Sequence, residues 1–472
     1  MNRKILKRIL SSPTITTWMS YFTKSINLVI LLPLLIDLLN DSDIAIWYLF
    51  SNVIGLQLLI DSGFSGNFIR YISFALNGNR SIFDKSSNES IAITDVDFLR
   101  TISFAMTEIY KVLIVIFVLL YLTLGFYSFR LPIQLTTNSN LGWIVWTFTL
   151  ISLPILIYGG KYSNILQGLN KIPLLRLWET VFNLFSSIFS VGILLATESI
   201  YLVIFSLYCW SLLSVLRNYL TVRKIEQMTS GNMDFSILKK MKPKLLLNSL
   251  KSGFGVFMAQ GITYSMAFFF ANKLDPSSLS TYLVTSGVII NIRNFSQAPF
   301  YSKIPFFATL TAQQNFKELE INLKKSMFQV YLIFFSSSVL LYLLFWGYIE
   351  YNSVSFMLDE KLWFVLTLAF FLERYGAMHI QIYSLSNHIL WHIHNGVSGA
   401  ITIFFVVIIY QYSPLYSYPL ALLISCLLFY SIYGPYYSYK FLNTSFWKFE
   451  KKLFFPWLIL LTCIAVSIFV TR

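Results

Sequence analysis

Apolar residues run through this chain in blocks about as long as a bilayer is thick, separated by polar breaks. About 20 mostly apolar residues are enough for a helix to cross the hydrocarbon core. Thirteen stretches fall in that range: 15–39, 44–76, 102–127, 143–168, 173–196, 200–221, 249–272, 278–302, 327–347, 362–385, 396–412, 418–439 and 453–470. The pattern predicts an all-α integral membrane protein. The second stretch differs from a helix facing lipid all round. It carries Asp61, a run of small residues (Ser62, Gly63, Ser65, Gly66) and Arg70. Ionisable side chains at membrane depth usually face a bundle interior or a watery cavity, so this span is expected to line something.

Composition sharpens the class. Of 472 residues, 56% are hydrophobic and only 12% charged, against about 25% charged in a typical soluble domain. The net charge of +14 would suit nucleic acid, but the placement of the charges argues for membrane topology instead. Lys and Arg crowd alternate connections: the N-terminal arm, Arg80 to Arg100, Lys171 and Arg176, Arg217 to Lys251, Lys303 to Lys325, and Lys440 to Lys452. Twenty-five fall in that set and four (Arg130, Lys273, Lys361, Arg472) in the other. Such a bias places the rich side in the cytoplasm, so the N-terminus is expected inside and, with thirteen spans, the C-terminus outside. Cys209, Cys426 and Cys463 sit in apolar runs without metal-ligand spacing.

The longest polar connection, 222–248, divides the chain near its middle. The expected organisation is an N-terminal lobe of six spans (1–221), that linker, a second six-span lobe (249–440), and a loop with an extra span (441–472). Spans two and eight share a short similarity, Tyr48 to Ser51 (YLFS) against Tyr282 to Thr285 (YLVT). Internal repeats are a transporter signature, with the substrate site between the halves.

Candidate chemistry lies in the charges at membrane depth: Lys24, Arg70, Lys111, Lys161, Arg293 and Arg374 against Asp61, Glu108, Glu179 and Glu373. At 1.5 Å per residue Lys24 lies about 14 Å into its span, Arg293 about 22 Å from the outer end of span eight, and Asp61 about 26 Å from that of span two. A net positive interior calls for an anionic ligand, and arginine's planar fork suits phosphate. Bland readings stand beside this one. Glu108 and Lys111 are i,i+3 and can neutralise each other, and Arg70 and Lys161 can snorkel to headgroups. Glu373 and Arg374 point about 100° apart on a helix, which predicts that they are not a mutual pair. All four histidines lie between His379 and His394, with His388 and His392 on one face, but no H-E-x-x-H accompanies them; proton coupling through His379 is a further reading. No phosphate-binding Gly-rich loop or nucleophile elbow is present, and no metal or cofactor is expected.

Ala45 to Phe50 (AIWYLF), Leu59 to Phe64 (LIDSGF) and Arg70 to Ser73 (RYIS) resemble the span-two signature of Wzx-type polysaccharide flippases. Lys303 to Leu310 (KIPFFATL) and Phe316 to Leu319 (FKEL) resemble the same group, which belongs to the multidrug/oligosaccharidyl-lipid/polysaccharide (MOP) superfamily. The resemblance implies two six-helix lobes around a central cavity and alternating access. It also implies translocation of an undecaprenyl-pyrophosphate-linked oligosaccharide, an O-antigen or other surface polysaccharide unit, across a bacterial cytoplasmic membrane. The related lipid II flippases carry cavity arginines on spans one, two and eight. Here those spans offer Lys24, Arg70 and Arg293 for the pyrophosphate, with Asp61, Lys111, Lys161, Glu179, Glu373, Arg374 and His379 as further cavity or coupling residues. The thirteenth span departs from the twelve usual in that group. The expected partners are the lipid-linked glycan, the bilayer and other polysaccharide-assembly proteins, with no nucleic acid. Two rivals remain: a cation-coupled small-molecule exporter of the same superfamily, which would prefer an acidic cavity, and an O-antigen polymerase, which would need longer outside loops than 128–142 and 348–361.

Overall fold

A computed structural model describes residues 13–26, 30–76, 96–227, 246, 247, 250, 251, 253–352, 359–386, 390–457 and 459. Among them every regular element is helical. The core of the 222–248 linker, the 77–95 loop, the N-terminal arm and most of the expected thirteenth span lie outside the described residues.

The chain forms two compact units, Met1–Leu32 with Leu49–Phe268, and Pro33–Tyr48 with Phe269–Arg472. The first holds α1 (Pro13–Ile26), most of α3 (Asp41–Leu76), α4 (Val96–Leu120), α5 (Phe126–Gln134), α6 (Ser139–Gly168), α7 (Ile172–Thr197) and α8 (Ile200–Gln227). In this unit α1 lies along α7, while α6 packs against α4 and α8. Asn138 starts α6 by accepting the Leu141 N–H at 3.1 Å, and Glu198 ends α7 in the left-handed conformation with φ 50°. Span two, with its Gly-Ser run, is one continuous helix rather than a broken one.

The second unit holds α2 (Leu32–Leu38), the first turns of α3, the end of α9 (Ile262–Phe270), α10 (Pro276–Ser296), α11 (Ala298–Tyr301), α12 (Ile304–Ala312) and α13 (Phe316–Asn352). It continues through α14 (Glu360–Ser384), α15 (Trp391–Tyr410), α16 (Ser417–Ser425), α17 (Ser431–Leu442) and the short α18 (Phe446–Glu450). Its centre is α14, which packs against α10, α16 and α17. Two glycines permit the closest approach. A Cβ on Gly376 would meet the Tyr430 ring at 2.5 Å and its carbonyl at 2.7 Å, and one on Gly434 would meet the Gly376 carbonyl at 2.9 Å. Asp359 caps α14 by accepting the Leu362 N–H at 2.9 Å, and the Tyr416 hydroxyl donates to its other oxygen at 2.6 Å. Asp275 caps α10 through the Ser278 N–H at 3.0 Å, with Pro276 in the first turn.

Among the described residues, eight helical runs are long and apolar enough to cross a membrane: α4–α5, α6, α7, α8, Gly253–Phe270, α13, α15 and α16–α17. The expected spans of α10 and α14 fall outside this set because polar and charged residues dilute them. Both are wrapped by protein, with most of their side chains buried. A helix shielded from lipid by its neighbours can carry polar groups that a lipid-facing one cannot.

Two outcomes test this packing. Gly376→Ala should destabilise the purified protein by about 1–3 kcal/mol through overpacking. Gly192→Ala, where a Cβ meets nothing within 4 Å, should be neutral or stabilising by helix propensity; thermal unfolding in nanodiscs reads both. The Ser278 amide holds the Asp275 carboxyl below the usual carboxylate range. Its cap therefore stabilises fully above the unfolded value and is lost as pH falls through the folded one. Asp275→Asn, an equally good cap that does not titrate, should flatten this acid limb in melts between about pH 5 and pH 3.

Candidate functional site

Unit 1 encloses a cavity of about 290 Å³ between α1, α3, α6, α7 and α8. Lys24, in the last turn of α1, lines it, and so does Glu179 from α7. Glu179 is held in place from both helices: Ser20 donates to its Oε2 at 3.0 Å and Arg176 at 2.7 Å. The Lys24 ammonium acts on the same carboxylate through space. Lys24 itself is exposed, so its charge is available at the cavity rather than sealed in the core. The remaining wall mixes amides and hydroxyls (Gln57, Asn183 and Asn218, with Ser163, Ser186, Ser211 and Ser214) with apolar side chains, among them Ile54, Leu156, Ile157, Phe182 and Val215. Asn218 donates to Ser163 Oγ at 3.3 Å and accepts from Arg217 at 2.7 Å. Gln57 Oε1 and Asn183 Nδ2 are buried without a hydrogen-bond partner. An unpaired buried polar atom costs about 1–3 kcal/mol, and this acceptor from α3 and this donor from α7 both belong to residues that line the cavity. Trp210 closes one side, its indole stacked on Phe185 with ring centroids 5.8 Å apart.

Unit 2 contains a second concentration of charge where α10 meets α14. Arg293 is 1% exposed, with its guanidinium 5.1 Å from the centre of the Phe370 ring. Arg374 and Glu373 do form a pair, at 3.1 and 3.3 Å, against the expectation from their helical spacing. The backbone directions differ, but the long arginine side chain folds back to its neighbour. Its other amino group donates to Gln297 at 2.5 Å, which fixes the fork across the α10 end. Arg293 Nη2 donates to Asn294 Oδ1 at 3.5 Å, and Arg293 Nε, Arg293 Nη1 and Arg374 Nε have no partner.

The other residues singled out from sequence are dispersed. Lys111 and Glu108 form an exposed i,i+3 pair at 3.0 Å on α4. Lys161 is buried on α6, donating to Thr107 at 2.9 Å beside the rings of Tyr158 and Tyr162. Asp61 and Arg70 lie on α3, their side chains outside the described set. His379 is wholly buried in unit 2, with Nδ1 and Ser438 Oγ 2.6 Å apart and Nε2 3.0 Å from Glu450. Tyr439 donates to the same carboxylate at 2.9 Å. His388 is outside the described residues; His394 donates to the Tyr430 carbonyl at 2.9 Å, so it braces a helix contact. Among the described residues no three His, Cys, Asp or Glu side chains come together as metal ligands. Sequence reasoning passed over Gln57, Asn183, Gln297 and Glu450. The first two were visible as lone amides inside apolar runs, the same signal that drew attention to Asp61.

The chain is a multi-pass membrane protein whose fold is similar to that of solved MOP-superfamily transporters. It is similar to a multidrug-resistance MATE-family transporter of that superfamily solved inward-facing, with TM-score 0.61 and 13% identity over 92% of this chain and 94% of that one. The outward-facing form of a transporter so described matches with TM-score 0.60 and 13% identity over 92% and 97%. A MOP-superfamily transporter from Pyrococcus furiosus, whose binding pocket is described as reversed in polarity with a different function suggested, matches with TM-score 0.56 and 13% identity over 92% and 97%. No protein-family model matches the sequence. No curated protein matches it either.

The pairing of Glu373 makes a separate prediction. Removing one partner of a buried ion pair costs about 3–5 kcal/mol, because the other charge is left uncompensated. Arg374→Met should lower stability by that order, and adding Glu373→Gln should restore most of it; unfolding midpoints of the three proteins in one detergent check this.

Proposed function

We propose that this chain is a flippase that carries an undecaprenyl-pyrophosphate-linked oligosaccharide from the cytoplasmic to the outer leaflet of a bacterial cytoplasmic membrane by alternating access, with its N-terminus in the cytoplasm. The cargo would be a repeat unit of O-antigen or another surface polysaccharide, delivered to other assembly proteins. The observation that carries the reading is the sign of the unpaired charge. Lys24 lines a cavity in unit 1, and in unit 2 Arg374 pairs with Glu373 while Arg293 stands over Phe370, with three N–H groups of the two arginines unpaired. Arginine and lysine with spare donors at membrane depth suit a diphosphate. Lys24, Arg70 and Arg293 are assigned to the pyrophosphate, and no bond is made or broken by the protein.

A second reading, a small-molecule exporter, draws support from the multidrug transporters that share the fold. A cationic drug would favour an acidic site, and the balance at Lys24, Arg293 and Arg374 runs the other way. Deleting the protein from its host should leave a lipid-linked glycan on the inner leaflet, and wild-type protein should clear it. Lys24→Gln, at an exposed position that folding tolerates, should cut this rescue at least about tenfold, the effect of losing one charge-assisted contact. Arg293→Gln should do the same at normal protein level. Unchanged glycan together with new sensitivity to cationic compounds would favour the exporter, and unpolymerised units arriving outside would indicate a polymerase.

A further inference from the structure

In unit 2 the chain turns sharply after α17. Asn443 ends that helix in the left-handed conformation with φ 50°, and Ser445 caps α18 by accepting the Lys448 N–H at 3.4 Å. Helical turns continue past α18: the Lys451 N–H donates to the Trp447 carbonyl at 3.2 Å and the Phe454 N–H to that of Glu450 at 3.0 Å. The segment has an inner and an outer side. Phe449 and Glu450 are buried, and the Glu450 carboxylate meets the Tyr439 hydroxyl at 2.9 Å and His379 at 3.0 Å. Lys324 of α13 braces the inner side, 4.8 Å from the centre of the Phe449 ring and donating to the Lys448 carbonyl at 3.3 Å. Its own charge is matched by Glu320 at 2.7 Å. Lys448, Lys451 and Lys452 are exposed, and their i, i+3, i+4 spacing sets them on one side of the turns. Trp447 beside them is 66% exposed and stacks on Phe455, with ring centroids 5.3 Å apart and planes within 5°. The acid of the segment, Glu450, is used inside, and among the described residues none of these three lysines has an ion pair. Lys111 and Lys324, by contrast, are each neutralised by a glutamate one turn away.

Three unmatched ammonium groups beside an exposed indole call for an anion that is itself at an interface. Tryptophan favours the level of the lipid headgroups, and lysines that flank a membrane span attract anionic lipid. The segment leads straight into the apolar run 453–470, so the chain passes from water toward hydrocarbon at these residues. We propose that Lys448, Lys451 and Lys452, with the Trp447–Phe455 ring pair, bind the headgroup of an anionic phospholipid of the surrounding bilayer. The ammonium groups hold the headgroup phosphate, and the rings lie against the glycerol and the first acyl carbons. A zwitterionic lipid brings its own cation to the lysines and gains less. An acidic protein approaching from water would use the lysines and leave the rings uncovered. Because Glu450 fastens the segment to α14 and α17, the lipid meets an element already held in place. The site stands whichever cargo the chain carries.

The test uses the full-length protein in detergent, with phosphatidylglycerol, phosphatidylcholine, soluble glycerol 3-phosphate and polyglutamate as probes. Native mass spectrometry reads the binding constants, and thermal unfolding reads the stabilisation that binding confers. Phosphatidylglycerol should bind more tightly than phosphatidylcholine and raise the midpoint further, and glycerol 3-phosphate at the same concentration should do neither. Lys448→Gln, Lys451→Gln and Lys452→Gln together should weaken phosphatidylglycerol binding about a hundredfold, roughly fivefold for each charge, and leave phosphatidylcholine binding unchanged. Trp447→Ala should weaken both lipids. Lys171→Gln, Lys224→Gln and Lys273→Gln, at exposed positions elsewhere, remove the same charge and should keep the preference for the anionic lipid. Melting curves in lipid-free detergent establish that the variants fold. An unchanged phosphatidylglycerol constant in the first triple variant, or an equal loss in the second, would overturn the site. Glycerol 3-phosphate stabilising as much as the lipid would also overturn it, in favour of a soluble phosphate. Polyglutamate binding that the first variant loses while its lipid preference stays would overturn it in favour of an acidic protein partner.

Discussion

A helix in hydrocarbon satisfies its own backbone but not its polar side chains, so each buried polar side chain must find its partner within the protein. That constraint organises both units of this chain. On α1 and α7 it produces the Ser20–Glu179–Arg176 contacts that bring Lys24 and Glu179 to one cavity. On α10 and α14 it produces the Gln297–Arg374–Glu373 chain with Arg293 beside it. The mid-helix charges Glu373 and Arg374 sit on α14, most of whose side chains are buried in protein.

Some of these contacts act as fasteners. His379, Ser438, Glu450, Tyr439 and Tyr375 form a closed network that ties α18 to α14 and α17. His394 on the Tyr430 carbonyl, beside the Gly376–Gly434 approach, ties α15 to the same place. Gln57, Asn183, Arg293 and Arg374 are among the residues that keep an open valence.

Much of the fold was legible before any coordinates. The expected spans 143–168, 173–196, 278–302 and 362–385 match α6, α7, α10 with α11, and α14 to within a few residues. Apolar length is a local property of the chain, and helices in a bilayer have few alternatives. The site was less legible. Lys24 and Glu179 were both marked as charges at depth, but nothing along the chain places residues 24 and 179 on one wall. The Glu373–Arg374 pair was misjudged because backbone geometry gives the direction of a Cβ, not the reach of a guanidinium three carbons further out.

The sequence by itself determined that the chain is a multi-span helical membrane protein and which of its charges sit at membrane depth. Hydropathy, span length and residue identity are read one stretch at a time. Only the tertiary structure decided which of those charges are spent on one another and which remain available. Partnership depends on helices distant in sequence meeting face to face, and on close approach at positions such as Gly376, where an added methyl group would sit 2.5 Å from the Tyr430 ring.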